Sequence, residues 1–224
     1  MMNKRAIIAG ASGAVGKALL RYLLESASFD EIVVLLRRPL KFNHPKLHSI
    51  IFDFDKEEDY SSLPSAEQVF CCLGTTIKKA GSQENFRKVD FHYPFLLAKY
   101  AKQNGAKAFH VVSALGADAK SSIFYNRVKG ELEEALRKVE FDNLYIYQPS
   151  LLLSEREESR PGEKIASVLM QASSFLFLGP LKKYKAIHVN DVAKAMLCVA
   201  QSNSIKSKTI ASDEIQTLAD NFIV

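Results

Sequence analysis

Residues 6–24, AIIAGASGAVGKALLRYLL, decide how this chain is read. The uncharged run from Ala6 to Ala9 reads as a strand buried on both faces of a parallel sheet, and it empties directly into glycines at positions 10, 13 and 16. Val15, Ala18, Leu19, Tyr22 and Leu23 then recur at three- and four-residue spacing, so a helix with one apolar face lies back on that sheet. Strand, glycine turn and helix in this order make a phosphate cradle. Gly10 permits a tight turn, Gly13 lets a pyrophosphate approach bare backbone, and Gly16 lets the helix sit close to the strand. The helix N-terminus adds unpaired N–H groups and the positive end of its dipole. Ser12, Ala14 and Val15 complete the stretch expected to face a dinucleotide. The spacing is G-x-x-G-x-x-G, not the commoner G-x-G-x-x-G, and a purely structural strand-to-helix turn is the competing reading.

The bulk of the chain agrees with one such unit. At 224 residues and 47% hydrophobic it has the size of a single α/β domain, residues 1–224, with elaborations. The net charge of +5 comes from small separate clusters (Arg37-Arg38, Lys78-Lys79, Lys182-Lys183-Lys185), which favours small phosphorylated ligands over nucleic acid. The three cysteines make neither a disulfide framework nor a set of zinc ligands, so the compartment is read as reducing. MMNKRAIIAG runs straight into the first strand, without room for a secretory signal, and no apolar run approaches a membrane span. A cytoplasmic protein is expected.

Working outward, Glu31–Leu36 is a second buried strand that ends in Arg37-Arg38-Pro39. At that strand end an acid would accept from the 2′-hydroxyl of NAD, whereas an arginine accommodates the 2′-phosphate of NADP; two arginines stand here and no acid. Solvated turn residues are the alternative. His48–Phe54 is a short third strand whose Asp53 would accept from the adenine amino group or cap the following helix, with Phe54 beside it. Gln68–Leu73 is the fourth strand, and Leu73, Gly74 and Thr75 at its mouth suit a backbone facing the nicotinamide ribose. Cys71 and Cys72 behind them read as small buried hydrophobes.

Asn85–Asn104 carries a long helical pattern with a kink at Pro94 and a stop at Asn104-Gly105. Ala106–Ser113 is the fifth strand, delivering Ser113 at the carboxyl edge where open α/β sheets bind ligands. His110 within it has no second ligand at metal spacing, so a packed histidine is expected and no metal site. A helix from Ser122 then presents Tyr125 and Lys129 four apart on one face. Free tyrosine has a pKa near 10, too high for proton exchange at neutral pH. An ammonium about 4 Å away stabilises the phenolate by at most about 4 kcal/mol, enough to bring it toward neutrality. On this reading Ser113 hydrogen-bonds a substrate carbonyl, Tyr125 exchanges the proton and Lys129 tunes it. A packed Tyr125 and a solvated Lys129 form the competing structural reading.

Asp142–Pro149 is the sixth strand, after which Pro149 and Leu152 should close over the nicotinamide side. Residues 154–185 change composition, from the charged SEREESRPGEK to the run Phe175–Leu178, and read as a substrate lobe or lid; Arg156 and Arg160 would hold an anion or form a solvated face. Ala186–Ala200 reads as a short strand and a helix capped at Asn190 or Asp191, and Ile205–Val224 as a last strand and helix.

GASGAVGKALL, the arginine pair, FCCLGTTIKKAG, Val89-Asp90, SALGAD, FYNRVKGE and RPGE together resemble the short-chain dehydrogenase/reductase superfamily in its atypical branch. More closely, the chain is similar to the Tat-interacting-protein oxidoreductase family, from about Ile8 to Glu163. The resemblance implies a doubly wound Rossmann sheet with helices on both faces and NADP(H) in the glycine turn, its 2′-phosphate at Arg37 and Arg38. It also puts Ser113, Tyr125 and Lys129 in the superfamily's catalytic roles, with Lys129 on the nicotinamide ribose as well. Commoner members carry Asn-Ala-Gly where Cys72-Leu73-Gly74 stands, and Pro-Gly where Pro149-Ser150 stands. An NADPH-dependent reductase of a small carbonyl compound follows, with a non-catalytic NADP(H) sensor acting on a protein partner as the alternative and a sugar-nucleotide epimerase as a third. The superfamily often pairs its long helices across a two-fold axis, an arrangement that would make this chain a homodimer, although the sequence itself does not give the oligomeric state.

Overall fold

A computed structural model describes residues 4–154, 179–202 and 205–222. Its seven-stranded sheet is parallel throughout. β1 (Arg5–Ala9), β2 (Glu31–Leu36), β3 (Leu47–Ile51), β4 (Gln68–Cys71), β5 (Ala108–Val112), β6 (Asn143–Gln148) and the last strand, Lys208–Ala211, stand in the order 3-2-1-4-5-6-last. The chain starts in the middle, winds out to β3 and then returns to build the other half. This leaves a crevice at the carboxyl ends of β1 and β4, where the winding reverses.

The absence of alternation in the strands has its cause in two covered faces. Ala6 and Ile8 of β1 pack with Ile32 and Val34 into one core layer, while Ile7 and Ala9 pack with Val33 and Leu35 into the other. The first layer is closed by α1 (Ala14–Glu25), through Leu19, Leu20 and Leu23. The second is closed by α2 (Glu57–Ser61), by α5 (Tyr93–Gln103) through Leu97 and Ala101, and by α6 (Phe124–Arg137) through Leu132 and Leu136. Two short helices, α3 (Ile77–Ala80) and α4 (Gln83–Arg87), lead into α5.

The long helical pattern from Asn85 is interrupted just before Pro94. A π-turn over Lys88–His92 joins α4 to α5, and Pro94 sits in the first turn of α5, where its missing N–H costs nothing. Gly105, with φ +89°, ends that helix as expected.

After β6 come β7 (Leu152–Leu153) and β8 (Ile187–His188), which pair in a small parallel sheet of their own, and a 3-10 turn over Gly179–Tyr184. Of the residues read as a lid, 155–178, with Arg156, Arg160 and Phe175–Leu178, lie outside the described residues. α7 (Val189–Gln201) is capped by His188 and not by Asn190 or Asp191, because β8 carries the extended chain to His188 itself. β9 (Lys208–Ala211) and α8 (Ser212–Asp220) finish the fold, and α7 seals the first layer through Val192 and Met196.

Candidate functional site

The glycine turn is fixed by how little room it has. Gly10 has φ +86°, and a Cβ there would lie 2.4 Å from the carbonyl oxygen of Cys72, so β1 and β4 meet backbone to backbone. A Cβ on Gly16 would lie 2.2 Å from the Gly10 carbonyl oxygen, which lets α1 rest on the turn it leaves. Gly13 is different: its Cβ would stand 3.2 Å from the same oxygen, and Ser12, Gly13 and Ala14 are exposed. Gly13 is the N-cap of α1, with no side-chain cap and no acid in the first turn. Backbone donors and the positive dipole end therefore face outward without a side-chain competitor, as a pyrophosphate requires. Val15 departs from the expected set. Its side chain is buried in the core, so it offers no side-chain surface at the turn.

Arg37 and Arg38 stand exposed beyond the end of β2. The Arg37 charge is felt at Tyr93, whose hydroxyl donates to Asp55 Oδ1 at 2.7 Å. Burial, that bond and the nearby carboxylates hold the Tyr93 phenol well above its ordinary range, with Arg37 opposing. Asp53 spends one oxygen on the Asp55 N–H, at 3.1 Å, and so closes the turn after β3. Phe54 is buried among Phe52, Tyr60 and Tyr93, as part of the core and not a ligand surface.

At the mouth of β4, Leu73 is half-buried and Gly74 exposed, and the Thr75 N–H donates to Asp90 Oδ2 at 2.9 Å. Asp90, on the π-turn, is 1% exposed, and its Oδ1 lies 2.7 Å from Lys129 Nζ. A Cβ on Gly74 would lie 3.4 Å from Asp90 Oδ1 and 3.9 Å from Lys129 Nζ. Lys129 is therefore not solvated. Burial pulls its pKa down, but Asp90 and the Tyr125 hydroxyl outweigh that, and the ammonium is held charged. Tyr125 is half-buried, its ring against Phe86 at 5.5 Å, and its hydroxyl has no hydrogen-bond partner among the described residues. Continuous contact thus runs from the glycine turn through Leu73 and Gly74 to Lys129 and Tyr125.

Ser113 does not join them as expected. Its backbone sits at the end of β5, but its hydroxyl, 5% exposed, donates to Glu133 Oε1 at 2.6 Å. Glu133, 4% exposed, also accepts two bonds from Gln148 Nε2, at 2.9 and 3.1 Å, and pairs with Arg137 at 3.4 Å. A hydroxyl has one proton, and this one is spent inside the protein. Holding a substrate carbonyl oxygen requires a donated proton, so this arrangement leaves Ser113 a positioning part beneath α6.

Pro149 is buried, its carbonyl accepting from the Leu115 N–H at 2.9 Å, and Leu152 packs partly against the core. Burial pushes the Cys71 thiol up to about 12 and the Cys72 thiol higher still. His110 is packed as expected, between Phe70 and Tyr145, with ring nitrogens 3.1 Å from Tyr147 Oη and 3.1 Å from Gln68 Oε1; burial pushes its pKa down to about 3. Among the described residues no three His, Cys, Asp or Glu side chains gather as metal ligands. A cavity of about 610 Å³ on the outer side of α5 and α6, lined by Phe91, Phe95, Ala135 and Val139 among charged side chains, shares no residue with this site.

Two buried acids were missed as site residues, and both carried a signal. Asp90 stands four residues after Phe86 and four before Pro94, in a stripe otherwise apolar through Leu97 and Ala101. Glu133 interrupts the α6 stripe Val128, Leu132, Leu136. An acid in an apolar stripe must meet a buried partner.

Fold and site define a nucleotide-binding Rossmann protein of oxidoreductase-like build. The chain belongs to the NAD dependent epimerase/dehydratase family, whose model matches residues 6–211. It is 41% identical to Protein HTATIP2 of Rattus norvegicus over 170 residues, 74% of this chain and 70% of the other. It is 33% identical to the mitochondrial Protein FMP52 of Candida albicans over 225 residues, 96% and 97% of the two. Among solved structures, the Bordetella bronchiseptica enzyme WbmH in complex with NAD+ superposes with a TM-score of 0.69 at 16% identity, covering 97% of this chain and 79% of that one. MoeE5 in complex with UDP-glucose and NAD gives 0.68 at 16% identity, covering 96% and 80%. One expectation is overturned. Relatives in Candida albicans, Eremothecium gossypii and Meyerozyma guilliermondii are named mitochondrial, so the cytoplasmic location does not stand. Among the described residues no helix is long and apolar enough to cross a membrane, and neither that nor cysteine usage assigns a compartment.

Proposed function

We propose that this protein is an NADP(H)-dependent oxidoreductase that reduces a small carbonyl compound, with Tyr125 as the proton donor. The observation that carries the reading is the contact path itself, from the uncapped N-terminus of α1 past Gly74 to the charged Lys129 and the unbonded Tyr125 hydroxyl. Ser12, Gly13 and Ala14 would hold the pyrophosphate and Arg37 with Arg38 the 2′-phosphate, since no carboxylate ends β2 to repel it. Gly74 and Lys129 would face the ribose next to the nicotinamide. Bound there, the reduced dinucleotide would supply the hydride.

The chain's own residues do the remaining work. Tyr125 passes its proton to the substrate oxygen as negative charge grows there, with Lys129 one turn further along the same face of α6. The Tyr125 ring is held by its contact with Phe86. The second reading, an NADP(H)-responsive regulator of a protein partner, is favoured by one observation: the Ser113 proton is given to Glu133, which leaves the oxyanion side short of a donor.

Calorimetric titration of nucleotide-stripped protein with NADPH and with NADH tests the cofactor half. A preference of at least about tenfold for NADPH is expected from the arginine pair. If neither nucleotide binds, the reading is lost. If NADPH binds and a broad carbonyl panel gives no turnover, the regulator reading takes its place.

A further inference from the structure

The Asp90–Lys129 pair does more than fill the space behind the cofactor crevice. Lys129 and Asp90 are 5% and 1% exposed, and no other carboxylate contacts Lys129 among the described residues. Asp90 divides its oxygens between the Lys129 ammonium and the Thr75 N–H, so the π-turn, α6 and the loop after β4 are fastened at one carboxylate. The π-turn, of a kind that often marks functional sites, carries Asp90 as its buried residue.

We propose that Asp90 is a positioning residue that clamps Lys129 to the Gly74–Thr75 loop and cancels its charge, so that Tyr125 meets a substrate as a proton-bearing phenol and not as a phenolate. This rests on the reading of Tyr125 given above. A bare ammonium beside a phenol in a buried site draws the proton off it; an ammonium already paired with a carboxylate has little net charge left to do so. A phenol that keeps its proton suits Tyr125 to reduction, where a proton must be given, more than to oxidation, where one must be taken.

The other charged groups around the pair are accounted for. On α4 and the π-turn, Arg87 pairs with Glu131 and Lys88 with Asp55 at 2.6 Å. His92 is held below its ordinary pKa by burial, with Arg87 and Lys88 adding to the effect, and so is neutral near pH 7. From β4, Cys71 is neutral because burial pushes its thiol up to about 12. On α6, Glu133 is engaged by Ser113, Gln148 and Arg137. Asp90 is left as the group that offsets Lys129.

The test is an ultraviolet difference titration of tyrosine ionisation in protein free of nucleotide and substrate. The background is favourable: of eight tyrosines, Tyr60, Tyr93, Tyr100, Tyr145 and Tyr147 are shifted upward and stay silent below about pH 9. Asp90→Asn removes the charge, while its amide oxygen can still accept the Thr75 N–H. The expected result is a gain of about one phenolate per chain below about pH 9 in Asp90→Asn, absent from Asp90→Asn combined with Tyr125→Phe. Wild type and Tyr125→Phe should give the same curve in that range. A folded Asp90→Asn that titrates like wild type overturns the proposal. So does a Tyr125-dependent phenolate already present in wild type below that pH, a comparison that needs no variant at position 90. Since neither measurement involves NADPH or turnover, a protein that fails to bind cofactor sinks the oxidoreductase reading and leaves these curves interpretable.

Discussion

The glycine turn and the buried face of α6 stand at the two ends of the contact path through Leu73 and Gly74, and they are specified in different ways. In the turn, the geometry is carried by the absence of side chains. Gly10 and Gly16 are pressed against backbone atoms of residues 72 and 10, and no partner side chain has to be found. On α6, each functional group takes its role from a partner far away in the chain. Lys129 meets Asp90 from the π-turn, and Ser113 and Gln148 meet Glu133. A backbone-built site survives or fails as a shape, whereas a side-chain site changes its chemistry when a single proton or charge is reassigned.

The sharpest way to break this comparison is at the turn. Gly16→Ala puts a Cβ 2.2 Å from the Gly10 carbonyl oxygen, and neither atom sits on a flexible side chain that can move aside. A loss of about 3 kcal/mol or more in urea unfolding is expected, together with loss of NADPH binding. Gly13→Ala meets the same oxygen at 3.2 Å and should cost less than about 1 kcal/mol in stability, while weakening cofactor binding. Equal stabilities for the two variants would mean that the turn is not packed as described.

Tyr125→Phe carries the comparison to the other half. The Phe ring keeps the contact with Phe86, so stability and NADPH affinity should change little, while turnover falls by about 10² to 10⁴. A fully active variant removes Tyr125 from the chemistry. A smaller effect is expected at Arg37, which stands exposed beyond the end of β2. Arg37→Ala should weaken NADPH binding by about ten- to a hundredfold and leave NADH binding unchanged, as read by calorimetry. Equal losses for both nucleotides would make Arg37 a general phosphate contact.

The same contrast explains what could be read from the chain before its structure. The strand runs and the glycine turn are set by local pattern, and they were legible down to a residue or two at most strand ends, whereas the doubly wound sheet was implied by the family resemblance alone. The pairing of Tyr125 with Lys129 was legible too, because four residues along a helix fix which side chains share a face. What was not legible is what Lys129 and Ser113 do with their protons. Helical spacing places them, but the decision belongs to Asp90, 39 residues before Lys129, and to Glu133, 20 residues after Ser113. The apolar stripe Phe86, Pro94, Leu97 and Ala101 marks Asp90 as buried but does not say that its partner is Lys129. Phe54 shows the converse: it was read as ligand-facing from its place after a strand, whereas it belongs to the ring cluster of Phe52 and Tyr60; Asp53, read either as an adenine contact or as a helix cap, accepts from the Asp55 N–H in its own turn.

Ser113→Ala is the variant on which the two ways of reading differ most, although its expected effect is the smallest. If Ser113 held a substrate carbonyl, removing the hydroxyl would cost about 10² or more in kcat, as loss of an oxyanion donor does. In this arrangement the hydroxyl serves Glu133, and Glu133 keeps two bonds from Gln148 and the Arg137 pair when Ser113 is gone, so no buried charge is left without partners. The expected outcome is therefore a stability loss of about 1 kcal/mol with kcat and KM within about threefold of wild type. Glu133→Gln makes the complementary measurement, because it removes the charge that Arg137 and Ser113 both address while leaving an acceptor in place. If Ser113→Ala abolishes turnover at unchanged stability, the hydroxyl must swing from Glu133 to the substrate when the crevice fills, and the site completes itself only on binding.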